Sequence, residues 1–335
     1  MSPTAQENKH DFQTYDEAFG SVLGQSPTFE MLLEKDYPFA HEAGVFIADK
    51  NELFITSNQF SGKDGERRVQ VSKISLKLDG TARCEEIHCP NIVMANGGVN
   101  YGDGRILVCA QGSATAPSGL YVMDIDRPYH TQLMVSDFYG RPFNAANDVV
   151  VHSDGTIWFT DPCYAFDQGY KSKPRLPNQV YRYVPSTGGI RAMADGFGRP
   201  NGICFSPDER VVYVTDTDWI RGSGNIDDTR ASTIYAYDVQ IHSGQPFLAN
   251  RRLFAFADDG IPDGIKCDMD GNVYSGCGDG VHVWSPGGVL LGKILVPGGV
   301  ANFCFGRPGE MFLLNETRLW RVRLSKSVRG ALLKL

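Results

Sequence analysis

Six copies of one short pattern, their regular spacing, and two chain ends each too short to make a unit alone predict an all-β fold. The fold they predict is a six-bladed β-propeller closed by N- and C-terminal segments that share a blade. In each copy an oxygen-bearing polar residue stands seven positions before a turn residue. "NAANDVVVHSDGTIWFTDP" places Asn147 before Asp154, "RPNGICFSPDERVVYVTDT" places Asn201 before Asp208, and "IPDGIKCDMDGNVYSGC" places Asp263 before Asp270. "ANGGVNYGDGRILVCA" sets Asn96 before Asp103 and "HEAGVFIADKNELFITS" sets Glu42 before Asp49. In "ANFCFGRPGEMFLLN", Asn302 precedes Gly309. A polar head, an apolar run, an Asp or Gly turn and a β-branched or aromatic run together read as a β-hairpin.

The copies lie 54, 51, 54, 62 and 39 residues apart, about the length of a four-stranded blade. The short last interval predicts a trimmed fifth blade. The long interval before it contains "DWIRGSGNIDDTRAS", which reads as a loop on one face. Only 33 residues follow Asn302, and 41 precede Glu42, including "SPTFEMLLEKD", an outer strand or a short amphipathic helix. The ends therefore complete one blade together, leaving no free sheet edge. Residues 1–20 are expected as a flexible tail and 21–335 as one propeller domain.

With 42 % hydrophobic and 21 % charged residues over 335 positions, the chain reads as an ordinary globular protein able to bury a large core. A formal charge of −7 and the lack of basic runs argue against nucleic acid as a partner. No apolar stretch suits a membrane helix or a secretory signal, so a cytoplasmic address is expected, as a monomer or weak homodimer. The last residues, Leu333-Lys334-Leu335, only partly match a peroxisomal signal. The eight cysteines form no Cys-x-x-Cys pair and read mostly as buried thiols, with Cys84 and Cys89 an unfavoured disulfide.

In a propeller the innermost strands run along the channel, so Glu42, Asn96, Asn147, Asn201, Asp263 and Asn302 form a ring at one end of it. Two carboxylates and four amides, with no sulfur or imidazole, suit a hard cation: Ca2+ first, then Mg2+. Zn2+ lacks its preferred ligands. The turn residues Asp49, Asp103, Asp154, Asp208 and Asp270 read as structural. His41 is expected to pack, since its neighbour Glu42 takes the opposite strand face. His282 is expected near a blade end. Tyr164, Phe166, Tyr170 and Trp219, on the two longest connections, are candidates for a pocket rim.

"HEAGVF", "NDVVVHSDGTIWFTDP", "RPNGICFSPD" and "PDGIKCDMDGNVY" resemble the successive blade motifs of the gluconolactonase and regucalcin (senescence marker protein) family, from about residue 28 onward. The resemblance implies that Glu42, Asn147, Asn201 and Asp263 hold one divalent cation, with Mn2+ or Zn2+ as further possible substitutes for Ca2+. It leaves Asn96 and Asn302, with Asn147, to face substrate. It also implies hydrolysis of a small lactone, with Asp263 as general base toward water. The alternatives are a phosphotriesterase-type hydrolase on the same site and a calcium-binding propeller without turnover.

Overall fold

The computed structural model describes residues 11–62, 65–77, 79–102 and 104–331. Among these, six four- or five-stranded antiparallel sheets follow one another around an axis as the blades of a propeller. Counted from the channel outward, blade one is Glu42–Ile47, Glu52–Thr56, Val71–Leu76 and Ala82–Ile87. Blade two runs from Ala95–Tyr101 to Thr131–Val135, blade three from Val149–Val151 to Gly189–Ala194, and blade four from Pro200–Phe205 to Gln245–Phe256.

Blade six carries the closure. Its three inner strands, Asn302–Phe305, Glu310–Asn315 and Arg318–Arg323, are completed on the outside by Thr28–Glu34, which pairs antiparallel with Arg318–Arg323. "TFEMLLE" is therefore the outer strand, not a helix. Blade five is not trimmed. It keeps four short strands of its own from Ile265–Cys267 to Leu290–Leu295, and Asp11–Thr14 adds a fifth in register with Leu295 to Gly292. The expected flexible tail is thus built into the sheet from Asp11 on. The reason lies just beyond that strand, where Phe19, fully buried in the helix Phe19–Leu23, sits on Gly292 so closely that a Cβ there would lie 2.3 Å from its ring. The remainder of the tail, residues 1–10, lies outside the described residues, as do the Asp103 turn and the terminal Leu333-Lys334-Leu335.

Blade four explains the longest interval differently from expectation. Residues 219–231 do form an irregular loop, with a bridge between Ile220 and Ile226, but much of the length lies in the hairpin Thr233–His242 and Gln245–Phe256, the longest in the molecule among the described residues.

The apolar side chains form six clusters, one at each junction between neighbouring blades. Phe46 meets Phe312 between blades one and six with ring centroids 5.4 Å apart, Trp158 meets Phe205 edge-on between blades three and four, and Tyr274 meets Phe305 between five and six. Because each inner strand is covered on both faces, runs such as Ile106–Ala110 are continuously buried and show no alternation. At the far end of the channel from the ring, Asp154 accepts from the Thr156 amide and Asp208 from the Arg210 amide, as turn residues do. In blade five Asp268 takes that part, accepting from the amides of Asp270 and Asn272, while Asp270 is exposed.

Candidate functional site

The six residues picked out by the seven-residue offset stand within two residues of the start of the six inner strands, at one end of the channel. In three of them, Asn96, Asn201 and Asp263, a glycine follows and lets the next blade approach closely. A Cβ on Gly97 would lie 2.6 Å from the Asn147 carbonyl oxygen, one on Gly202 2.4 Å from that of Asp263, and one on Gly264 2.3 Å from the Asn302 side chain. Asn147, Asp263 and Asn302 thus back directly onto the glycine of the preceding blade. The Asn-Gly and Asp-Gly pairs are close-approach sites inside strands, not turns.

A belt of hydrogen bonds runs around the ring. Thr56 Oγ1 donates to the Asn96 carbonyl over 3.0 Å, and the Gly97 amide donates to the Asn147 carbonyl over 2.8 Å. The Asp148 amide donates to Thr160 Oγ1, which donates to the Asn201 carbonyl over 2.6 Å. The Gly202 amide donates to Thr215 Oγ1, which donates to the Asp263 carbonyl over 3.1 Å. The Gly264 amide reaches the Ala301 carbonyl, and Asn302 Nδ2 donates to Glu42 Oε2 over 2.7 Å. The threonines escaped sequence reasoning, although their signal is regular: Thr56, Thr160 and Thr215 lie 13 or 14 residues after Glu42, Asn147 and Asn201.

The side chains enclose a polar, buried space. Glu42, Asn147, Asn201 and Asn302 are each less than 9 % exposed. Asn96 Oδ1, Asn147 Oδ1 and Asp263 Oδ1 are buried with no hydrogen-bond partner. Burial raises the Glu42 carboxyl well above its ordinary value, and the negative charge of Asp263 raises it further. Asp263 is raised too, first by burial, with His41 opposing and Asp148 reinforcing the shift. Two carboxyls so placed repel one another unless a positive charge joins them. Among the described residues no three His, Cys, Asp or Glu side chains gather as a metal site, so any cation here needs the amide oxygens as well. The unpartnered oxygens and the all-oxygen donor set fit a hard divalent cation.

Three further groups surround the ring. Asp148, a buried carboxylate absent from the sequence expectation, accepts from the amides of Val149 and Ile203. His41 does not simply pack. It lies before the strand begins, where side-chain alternation does not hold, and its Nδ1 sits 2.6 Å from Glu316 Oε1, while Glu316 Oε2 accepts from Asn58 Nδ2. Burial opposes its charge, but Glu316, Glu42 and Asp263 together raise it to about 9. Tyr164, expected as a rim aromatic, turns its hydroxyl to Thr217 and Asn201 beside Asp263.

Connections on the ring side form a roof. Arg199 ties Asp167 of the helix Tyr164–Asp167 to Asp218, and Lys171 Nζ donates to the carbonyls of Gln111, Phe143 and Asn144. Tyr170 bonds to Gln111, whereas Phe166 is half exposed and Trp219 bonds within its own loop to Asp228. A hairpin not anticipated from the sequence, Phe60–Ser61 with Arg67–Arg68, extends from blade one, where Arg67 donates to the Gln168 carbonyl of blade three's connection over 2.6 Å. His282 is remote from these groups, fully buried against Asp279 beside Lys293.

Fold and ring together define a β-propeller with one oxygen-lined polar centre on its axis. The chain belongs to the SMP-30/gluconolactonase/LRE-like family, whose sequence model matches residues 77–314. It is 32 % identical to the gluconolactonase of Zymomonas mobilis across 91 % of this chain and 87 % of that protein. It is 29 % identical to the lactonohydrolase oryL of Aspergillus oryzae across 93 % of this chain and 74 % of that one. A solved gluconolactonase structure from Xanthomonas campestris superposes with a TM-score of 0.71 at 27 % identity, covering 93 % of this chain and 94 % of that chain. The family is one of hydrolases acting on carboxylic ester bonds.

Proposed function

We propose that this chain opens the ring of a small lactone, an aldonolactone or a similar compound, at a site where Glu42, Asn147, Asn201 and Asp263 hold one divalent cation, Ca2+ before Mg2+. The observation that carries the reading is the meeting of two carboxyls, Glu42 and Asp263, with the unpartnered side-chain oxygens of Asn96 and Asn147, in a chain whose relatives are lactonases. When bound, such a cation polarises an ester carbonyl and favours the oxyanion formed from it.

The chain's own residues do the rest. Asp263 takes a proton from the attacking water at one carboxylate oxygen and returns it to the departing ring oxygen. The Asn201 side chain lies beside Asp263 and favours its ionised form. Asn302 gives its amide N–H to Glu42 while its Oδ1 accepts from the Phe303 amide, so we assign it to orienting Glu42 more than to binding substrate. Asn96, with a free Oδ1, and Asn147, through its NH2 group, are the hydrogen-bonding partners offered to lactone hydroxyls. Protonated His41 faces both carboxylates, its charge offset in part by its partner Glu316.

The test is ring opening followed at constant pH over five- and six-membered lactones and a phosphotriester, with CaCl2 and with chelator. Calcium-dependent opening of lactones that disappears in Asp263→Asn supports the reading. Turnover of the phosphotriester alone, or full activity of Asp263→Asn, contradicts it.

A further inference from the structure

We propose that Thr160 and Thr215 are positioning residues that fix Asn147, Asn201 and Asp263 relative to one another, an inference that rests on reading this ring as the metal site. Each hydroxyl is fully buried. Each has one proton, given to the carbonyl of the next blade's ring residue: Thr160 to Asn201 over 2.6 Å, Thr215 to Asp263 over 3.1 Å. Each also accepts from the amide that directly follows the preceding ring residue, Asp148 for Thr160 at 3.1 Å and Gly202 for Thr215 at 2.7 Å. One oxygen therefore joins the backbone on either side of two ring residues, and the pair of threonines chains three of them in series.

Between blades two and three and between blades five and six the corresponding link is a direct amide-to-carbonyl bond, from Gly97 to Asn147 and from Gly264 to Ala301, whereas Thr56 Oγ1 donates to the Asn96 carbonyl between blades one and two and Asn302 donates to Glu42 between six and one. Blades three to five, which carry three of the four proposed ligands, are joined in series by two hydroxyls that each both accept from one ring segment and donate to the next. Because the bond falls on the backbone of the ligand residue itself, a change there moves the whole ligand, not just one rotamer. Val keeps the shape of Thr but removes the hydroxyl, leaving an amide and a carbonyl facing each other without partners. Ser keeps both bonds.

The experiment compares the full-length wild type with Thr160→Val, Thr215→Val, Thr160→Ser and Thr215→Ser. Calcium affinity is measured by calorimetry with CaCl2, melting temperature is recorded, and kcat and KM for glucono-δ-lactone are measured at saturating CaCl2. Changes to residues that orient metal ligands typically lower affinity about 10- to 100-fold, and that loss is expected for each Val variant, with the Ser variants close to wild type. A Thr that merely supports the fold lowers the melting temperature alone. Val variants that melt lower yet bind calcium like the wild type overturn the proposal, and so do Ser variants as impaired as Val. Should a Val variant not fold, Thr215→Cys, with a weak S–H donor, replaces it and is expected to bind more weakly than Thr215→Ser. Equal binding by those two also overturns the proposal. A wild type that binds no calcium sinks the ring reading itself and takes this inference with it, an outcome distinct from wild-type binding that the variants share.

Discussion

Asn302 donates its side-chain amide to Glu42 Oε2 across 2.7 Å, and with that bond the last blade grips the first at the axis. The outer closure, where Thr28–Glu34 completes blade six, lies on the opposite edge of the same sheet. The ring end of the propeller is thus tied twice, once at the rim by backbone pairing and once at the centre by a side chain.

Removing that central tie should loosen Glu42 without opening the rim. Asn302→Ala is expected to weaken calcium binding by about 10- to 100-fold in calorimetry, while the circular dichroism of the β-sheet stays that of the wild type. Unchanged affinity would show that Glu42 is held by other means.

Space is the second constraint. A Cβ on Gly264 would lie 2.3 Å from the Asn302 side chain. Gly264→Ala is therefore expected to destabilise by about 1–3 kcal/mol in denaturant unfolding and to depress lactone turnover together with it. Gly244→Ala meets no atom within 4 Å, although its φ of +73° strains any side chain. It is expected to leave turnover intact whatever it does to stability.

Acid stability has a local source away from the ring. Asp279 is partly buried, which opposes ionisation, but hydrogen bonds from His282 and Lys293 outweigh this and lower its carboxyl to about 2 from an ordinary 3.8. A depressed carboxyl stabilises the fold above its unfolded value and loses that contribution as the pH falls, here between about pH 4 and pH 2. With the side chain 25 % exposed, the contribution is on the order of 1–2 kcal/mol. Asp279→Asn should lower stability at pH 7 and flatten the stability curve across that window. A curve as steep as the wild type's would contradict the assignment.

The thiols should divide into two classes. Cys84, Cys89 and Cys163 are partly accessible, and the other five are buried. A disulfide thiol reagent is expected to modify at most those three in the native protein, slowly at Cys89, whose thiol burial pushes up to about 11, and all eight after unfolding. Rapid native labelling of Cys204 or Cys267 would mean that blades four and five part in solution.

Much of this was legible in the sequence because the ring obeys a local rule. The distance in sequence from each polar head to its turn is constant, so a seven-residue offset marks Glu42, Asn96, Asn147, Asn201, Asp263 and Asn302 without any knowledge of long-range pairing. What stayed hidden depends on contacts between distant segments. Glu316 meets His41 across 275 positions, and Asp11–Thr14 finds its place only because Phe19 is anchored on Gly292. The hairpin at Phe60–Ser61 and Arg67–Arg68 has no apolar pattern, and only its partner Gln168 reveals what it covers. The Thr160 and Thr215 hydroxyls look like ordinary strand residues until the neighbouring blade is in place.

The most direct measurement is a crystal structure of the full chain grown with CaCl2 and read by anomalous scattering. We expect a single calcium peak on the axis, about 2.3–2.6 Å from oxygens of Glu42, Asn147, Asn201 and Asp263. An axis without metal at saturating calcium, or a lone calcium bound elsewhere on the propeller, would contradict the account.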